Sequence, residues 1–274
     1  SASLGLAGIA LAEMHCGISW LSDVFGYLAL TLFGVFLLAY GYKSVTAFGL
    51  NITEFKNHKN VPLFTTISMT GLALSAKFEP VNWQVSTVVF WLCAGLQLVL
   101  AIGVMTRWIH TSSHRLRDAL PTWFVPTAGN ALVAVVAVTP EERLVGWFFF
   151  SVGLFLWLPV FAVVLIRLVM EDRLERSEMP TLAILVNPPA ILFLGWMNLH
   201  EGSGQIDALA RLLAYFAIFM GLVVLVQLAL RRPRKFTLSL WSVTFPFATL
   251  ASSLSLLGML DDLAILKWAG LILT

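Results

Sequence analysis

Between Val81 and Met105 the chain carries no charged side chain. That run alone exceeds the roughly 20 residues a helix needs to cross a 30 Å hydrocarbon core. The economy of charge extends to the whole chain. Only 12% of its 274 residues are charged and 59% are apolar, whereas soluble domains average about 25% charged. The sequence therefore predicts a multi-span, all-α membrane protein. The net charge of +2 comes without a charge-rich tail, a glycine loop or a basic–aromatic patch, so nucleic acid is not an expected partner. Cys16 and Cys93 lie in or beside predicted spans and form no disulfide framework.

Charge-poor runs and their punctuation predict ten spans, at about 1–15, 20–48, 62–76, 81–108, 121–138, 143–173, 180–198, 204–230, 237–258 and 262–274. The even-numbered spans are long, nearly free of proline, and rich in Leu, Val, Phe and Trp. The odd-numbered ones are shorter and carry glycine, proline and hydroxyl residues. Pro62, Pro121 and Pro180 open the third, fifth and seventh spans at equal steps of 59 residues, and a similar step leads to Thr237 before the ninth. That period matches one helical hairpin with its loops. Residues 1–274 then form one integral membrane domain of five hairpins. Its first and last helices are short and are expected to be truncated.

The positive-inside rule orients the array. Thirteen of the 17 basic residues follow even-numbered spans, and only Lys77, Arg143, Arg211 and Lys267 lie on the opposite side. Both termini are then cytoplasmic and every odd-numbered helix runs outward.

The odd spans share a composition. The third reads PLFTTISMTGLALS, the fifth PTWFVPTAGNALVA, the seventh PTLAILVNPPAILFLG and the ninth SLWSVTFPFATLASS. Disrupted backbone at membrane depth is tolerated only inside protein or against a water-filled cavity. Gly71, Pro126, Gly129, Asn130, Asn187, Pro188, Pro189 and Pro246 are therefore expected to face inward, with Gly5, Thr244 and Thr249 beside them. Five equivalent hairpins predict an inner ring of odd helices around a path, shielded from lipid by the even ones. Small and hydroxyl residues also serve as helix–helix packing, so any single one has that alternative role.

No Lys, Arg, Asp or Glu lies mid-span in the third, fifth, seventh or ninth segment. Proton relays and cation sites usually keep such a residue. The odd helices also aim their positive N-terminal ends at the cytoplasm. Arg231, Arg232, Arg234 and Lys235 sit at the mouth of the ninth span, where they would attract anions. The same four residues also serve orientation and contact with lipid headgroups. On balance the pattern favours an anion path.

Several stretches together resemble the tellurite-resistance/dicarboxylate-transporter family, which holds bacterial TehA-like and plant slow-type anion channels. They are SLGLAGIALA at the start, LSDVFG in the second span, WFVPTAGNALVA in the fifth, NPPAILFLG in the seventh and LWSVTFPFATLAS in the ninth. The resemblance implies a homotrimer of independent pores in a bacterial inner membrane, each a quasi-five-fold ring of hairpins. It also implies a gating phenylalanine on the ninth helix, and the Thr-Phe-Pro triplet puts Phe245 at that position. Pro246 would then kink the helix and present the ring to the axis. The expected function is a passive, gated channel for small anions such as chloride or nitrate, with no cofactor.

Three other functions compete, of which a receptor or scaffold would leave the polar odd helices unexplained. The resembled family also holds carriers of C4-dicarboxylates and sulfite, but a carboxylate carrier would be expected to keep a cation mid-span, and none is present. His110 and His114 have a metal-compatible i, i+4 spacing. They lie in a juxtamembrane loop without a third ligand, so no metal site and no enzyme activity are expected.

Overall fold

Proline fixes φ and offers no N–H, so it is best tolerated in the first turn of a helix. The 59-residue proline repeat uses that tolerance. In the computed structural model, which describes residues 2–15, 17–46, 61–110, 115–200, 206–230 and 238–273, Pro62, Pro121 and Pro180 each fall in a 3-10 turn leading into an α-helix. Among the described residues all regular structure is helical. The described residues hold ten α-helices: α1 (Ala2–His15), α2 (Ser19–Thr46), α3 (Thr65–Phe78), α4 (Trp83–His110), α5 (Phe124–Val136), α6 (Pro140–Met170), α7 (Asn187–Leu199), α8 (Ala208–Leu230), α9 (Trp241–Leu260) and α10 (Ala264–Leu273).

The 3-10 lead-ins account for how the short odd helices reach across a bilayer. At 1.5 Å per residue the 13 residues of α7 give only about 20 Å. The eight-residue 3-10 segment Met179–Val186 before it rises about 2 Å per residue, bringing the unit to roughly 35 Å. Shorter lead-ins, Val61–Phe64, Pro121–Trp123 and Leu238–Leu240, precede α3, α5 and α9. Pro126, Pro188 and Pro189 accordingly lie in the first α-helical turn after a 3-10 segment rather than in mid-helix. Pro246 differs, standing inside α9.

Two environments separate the helices. In the apolar windows of α2, α4, α6 and α8, between 11% and 33% of residues are buried; in Met179–Leu199 and Trp241–Leu260 the shares are 78% and 72%. Among the described residues six helical segments, these included, are long and apolar enough to cross a membrane. The chain is an integral membrane protein.

The contacts follow a simple order. α1 packs on α3, α3 on α5, α5 on α7, α7 on α9, and α9 on α1, while each even helix packs on the odd helix before it. Buried polar bonds tie the pairs. Ser22 Oγ donates to the Ala10 carbonyl at 2.6 Å, and Ser86 Oγ to the Ser75 carbonyl at 2.6 Å. Asn198 Nδ2 on α7 donates to the Ala134 and Ala137 carbonyls at 2.9 and 2.8 Å. It thus satisfies carbonyls that the C-terminus of α5 leaves unpaired.

Candidate functional site

The lead-in ends of the odd helices converge on a small cavity of about 50 Å³. Leu4 from α1, Met69 from α3, Val125 from α5, Asn187 from α7 and Phe245 from α9 all line it, so five helices contribute to one space. Among the described residues none that lines it is charged. Its polar side chains include Thr66, Ser242 and Asn187, and Trp241 adds an indole to the wall. Two of these bond locally, Thr66 Oγ1 to the Leu63 carbonyl at 2.7 Å and Ser242 Oγ to the Ser239 carbonyl at 2.6 Å.

Phe245 is 5% exposed and sits in the wall of this cavity. Its ring lies over α1 at Gly8, where an added Cβ would come within 2.6 Å of Phe245 Cδ2. Glycine at that position gives the ring its seat. One turn earlier, a Cβ on Gly5 would overlap Thr244 Oγ1, so α1 and α9 approach closely along two successive turns. Pro246 follows Phe245 directly and also lines the cavity.

Asn187 is the polar hinge of the site. Its Oδ1 lies 3.0 Å from Thr249 Oγ1, which is also 2.9 Å from the Pro246 carbonyl. A hydroxyl has a single hydrogen and cannot donate to both. When it donates to Asn187, the amide N–H₂ is the end left for the cavity, a donor that an anion can use. Three further hydroxyls of α9 bond back along the helix, and Ser253 Oγ also lies 3.4 Å from the Ala190 carbonyl of α7. Thr244 bonds to the Trp241 carbonyl, Ser252 to the Ala248 carbonyl and Ser253 to the Thr249 carbonyl.

The remaining predicted residues lie elsewhere. Gly71 faces α4, where a Cβ would overlap Cys93 Sγ. Gly129 faces Gln97 Nε2 and Met69. Asn130 is fully buried, its Nδ2 donating to the Pro126 carbonyl at 2.7 Å while its Oδ1 has no partner. Pro126, Pro188 and Pro189 are buried in the first turns of α5 and α7. Arg231, Arg232, Arg234 and Lys235 lie outside the described residues, as does His114. His110 Nδ1 is 2.8 Å from the Thr106 carbonyl. Among the described residues no three His, Cys, Asp or Glu side chains gather as metal ligands would.

Three side chains were not anticipated. Gly8 was legible only as one of two glycines three residues apart in SLGLAGIALA. Gln97 is an amide in mid-span of an even helix. It is fully buried, accepts from Ser68 Oγ at 2.6 Å, and leaves Nε2 without a partner. Arg167 is 6% exposed in the last turn of α6, and its Nε and Nη1 have no hydrogen-bond partner.

The chain is 26% identical over 236 residues to the S-type anion channel SLAH2 of Arabidopsis thaliana, covering 85% of this chain and 45% of that protein. It is 23% identical over 257 residues to a protein named Tellurite resistance protein TehA homolog in Haemophilus influenzae, covering 91% and 77%. Against the guard cell S-type anion channel SLAC1 of Arabidopsis thaliana it is 23% identical over 180 residues, covering 65% and 32%. The chain thus spans less than half the length of these plant relatives. A family model described as SLAC1, voltage-dependent anion channel, matches residues 1–274, and by that match over its whole length the chain belongs to the SLAC1 family.

Proposed function

We propose that the chain is a passive, gated anion channel whose pore runs between the five odd-numbered helices and is plugged by Phe245. The observation that carries this reading is the cavity to which all five odd helices contribute, walled by Phe245 seated on Gly8. In this reading residues 1–274 form one channel domain. The cyclic order of odd-helix contacts is a quasi-five-fold ring, with the even helices between it and lipid. The odd helices point their positive ends toward the cytoplasmic mouth. Arg231, Arg232, Arg234 and Lys235 gather anions there. The relatives named as anion channels support an anionic substrate; in this reading the channel assembles as a homotrimer in the cell membrane.

Selectivity in this account is weak. The Asn187 amide offers a neutral donor, the Thr66 and Ser242 hydroxyls already donate to backbone carbonyls, and no fixed cation binds the ion tightly enough to hold it. Conduction requires that binding be loose enough for release. Chloride and nitrate suit such a path better than C4-dicarboxylates, for which a cation at the site would be expected.

Flux into liposomes tests the assignment. Chloride and nitrate are expected to pass down their gradients without saturation once the Phe245 ring is removed. Saturable uptake of malate or sulfite, with no chloride flux in any variant, would replace the channel by a carrier.

A further inference from the structure

The 3-10 segment Met179–Val186 is eight residues long, whereas such runs rarely exceed three or four and often mark hinges. Its three-residue period stacks every third side chain in one row. Met179, Leu182 and Leu185 form one row and face a groove of about 420 Å³ between α6 and α8. Ile184 and Asn187 belong to the next row and line the cavity at Phe245. Ala183 and Val186, from the third row, are fully buried between them. A single segment therefore has one side in the groove and the other at the candidate pore.

The groove has the features of a lipid site. Its walls are Leu, Val and Met side chains of α6, α8 and the 3-10 segment, and its polar members include Arg173 and Gln227. Both helices that frame it are among the least buried spans, so the medium outside it is the bilayer. Arg173 follows the C-terminus of α6, at the membrane end where basic residues attract anionic headgroups. The volume lies within the roughly 300–1,000 Å³ of sites that hold small molecules. A second groove of about 440 Å³ against α2 repeats the combination, with Phe33, Phe36 and Leu37 as walls and Lys43 in its lining.

We infer that the α6–α8 groove binds a phospholipid of that leaflet, with an acyl chain along Met179, Leu182 and Leu185 and an anionic headgroup at Arg173. An occupied groove braces the 3-10 segment, and through Ile184 and Asn187 it biases the geometry of the cavity. This last step rests on the channel reading; the lipid site itself does not.

The test uses the full chain in detergent, titrated with phosphatidylglycerol or phosphatidylcholine and read by native mass spectrometry. The wild type is expected to retain phosphatidylglycerol in preference to phosphatidylcholine. Arg173→Gln should cut that preference about fivefold, the scale of one basic residue's attraction to an anionic headgroup. Leu165→Trp fills the groove from a side chain that is 43% exposed, and should weaken retention of both lipids. Hydrogen exchange adds a readout that needs no ion flux, since added phosphatidylglycerol should slow exchange at Met179–Val186 in the wild type but not in Leu165→Trp. Equal lipid retention in all three proteins would overturn the proposal. So would a lipid-independent oligomer that Leu165→Trp dissociates, because a second copy would then occupy the groove. Lipid protection of Met179–Val186 without any anion flux in Phe245→Ala would leave the lipid site standing and the channel reading refuted.

Discussion

The windows Ser19–Lys43 and Met179–Leu199 are both apolar enough to cross a bilayer, yet 11% of the first is buried and 78% of the second. Hydropathy does not separate them, but their residues do. The first buries small residues along one narrow face, at Ser22, Gly26 and Ala29, and elsewhere carries large side chains, including Trp20, Tyr27, Phe36 and Tyr42, all more than half exposed. The second replaces bulk with Ala183, Asn187, Pro188, Pro189 and Ala190, which let neighbouring backbones approach. Within a membrane lipid is as apolar as leucine, so burial is decided by close packing and polar pairing rather than by hydrophobicity. Where these small and amide residues concentrate, helices meet each other; where they are sparse, helices meet lipid.

The largest expected effect comes from charging the polar hinge on the buried side. A like charge at ~4 Å costs about 4 kcal/mol at an effective dielectric of ~20. Asn187→Asp in a conducting background is therefore expected to lower chloride flux at least ~tenfold, measured in proteoliposomes. An unchanged flux would put the ion path away from α7.

Next come the glycines, which test the two environments directly. A side chain at Gly5 overlaps Thr244, whereas a Cβ at Gly34 on α2 meets nothing within 4 Å. Overpacking costs typically 1–3 kcal/mol, so Gly5→Val should lower the midpoint of thermal unfolding in detergent by several degrees. Gly34→Ala should leave it unchanged or raise it, because alanine favours the helix by up to about 1 kcal/mol. Equal losses at both sites would erase the distinction between packed and lipid-facing helices.

The smallest effect is expected at Thr249. Interhelical hydrogen bonds in membranes average ~0.6 kcal/mol, so Thr249→Val should cost little stability. Its functional consequence is larger, because the Asn187 amide is then free to turn and anion selectivity over cations should weaken. Reversal potentials under a salt gradient would measure that change.

Much of this organisation was legible in the residues. The proline spacing marked the lead-ins of α3, α5 and α7, and the glycine, hydroxyl and amide content separated buried from exposed helices. The lengths of the 3-10 segments were not legible, because a proline at a first turn is equally compatible with an α-helix. The orientation of single glycines was also hidden. Gly5 and Gly71 look alike in sequence, yet one meets α9 and the other the outer helix α4. Rotation about a helix axis is set by packing, and an apolar pattern with little asymmetry carries no record of it. Gln97 and Arg167 escaped for a related reason. The inward-facing expectation was drawn from the odd spans alone, so polar residues on even helices were passed over, although both are buried.

The central claim is that the Phe245 ring closes a path between the odd helices. The most direct measurement is anion current across a planar bilayer or an oocyte membrane containing wild type or Phe245→Ala, with chloride and then nitrate. The account predicts a silent or weakly conducting wild type and a strongly conducting variant. A stably folded Phe245→Ala protein that stays as silent as the wild type would contradict it, and would return the ring to the packing between α1 and α9.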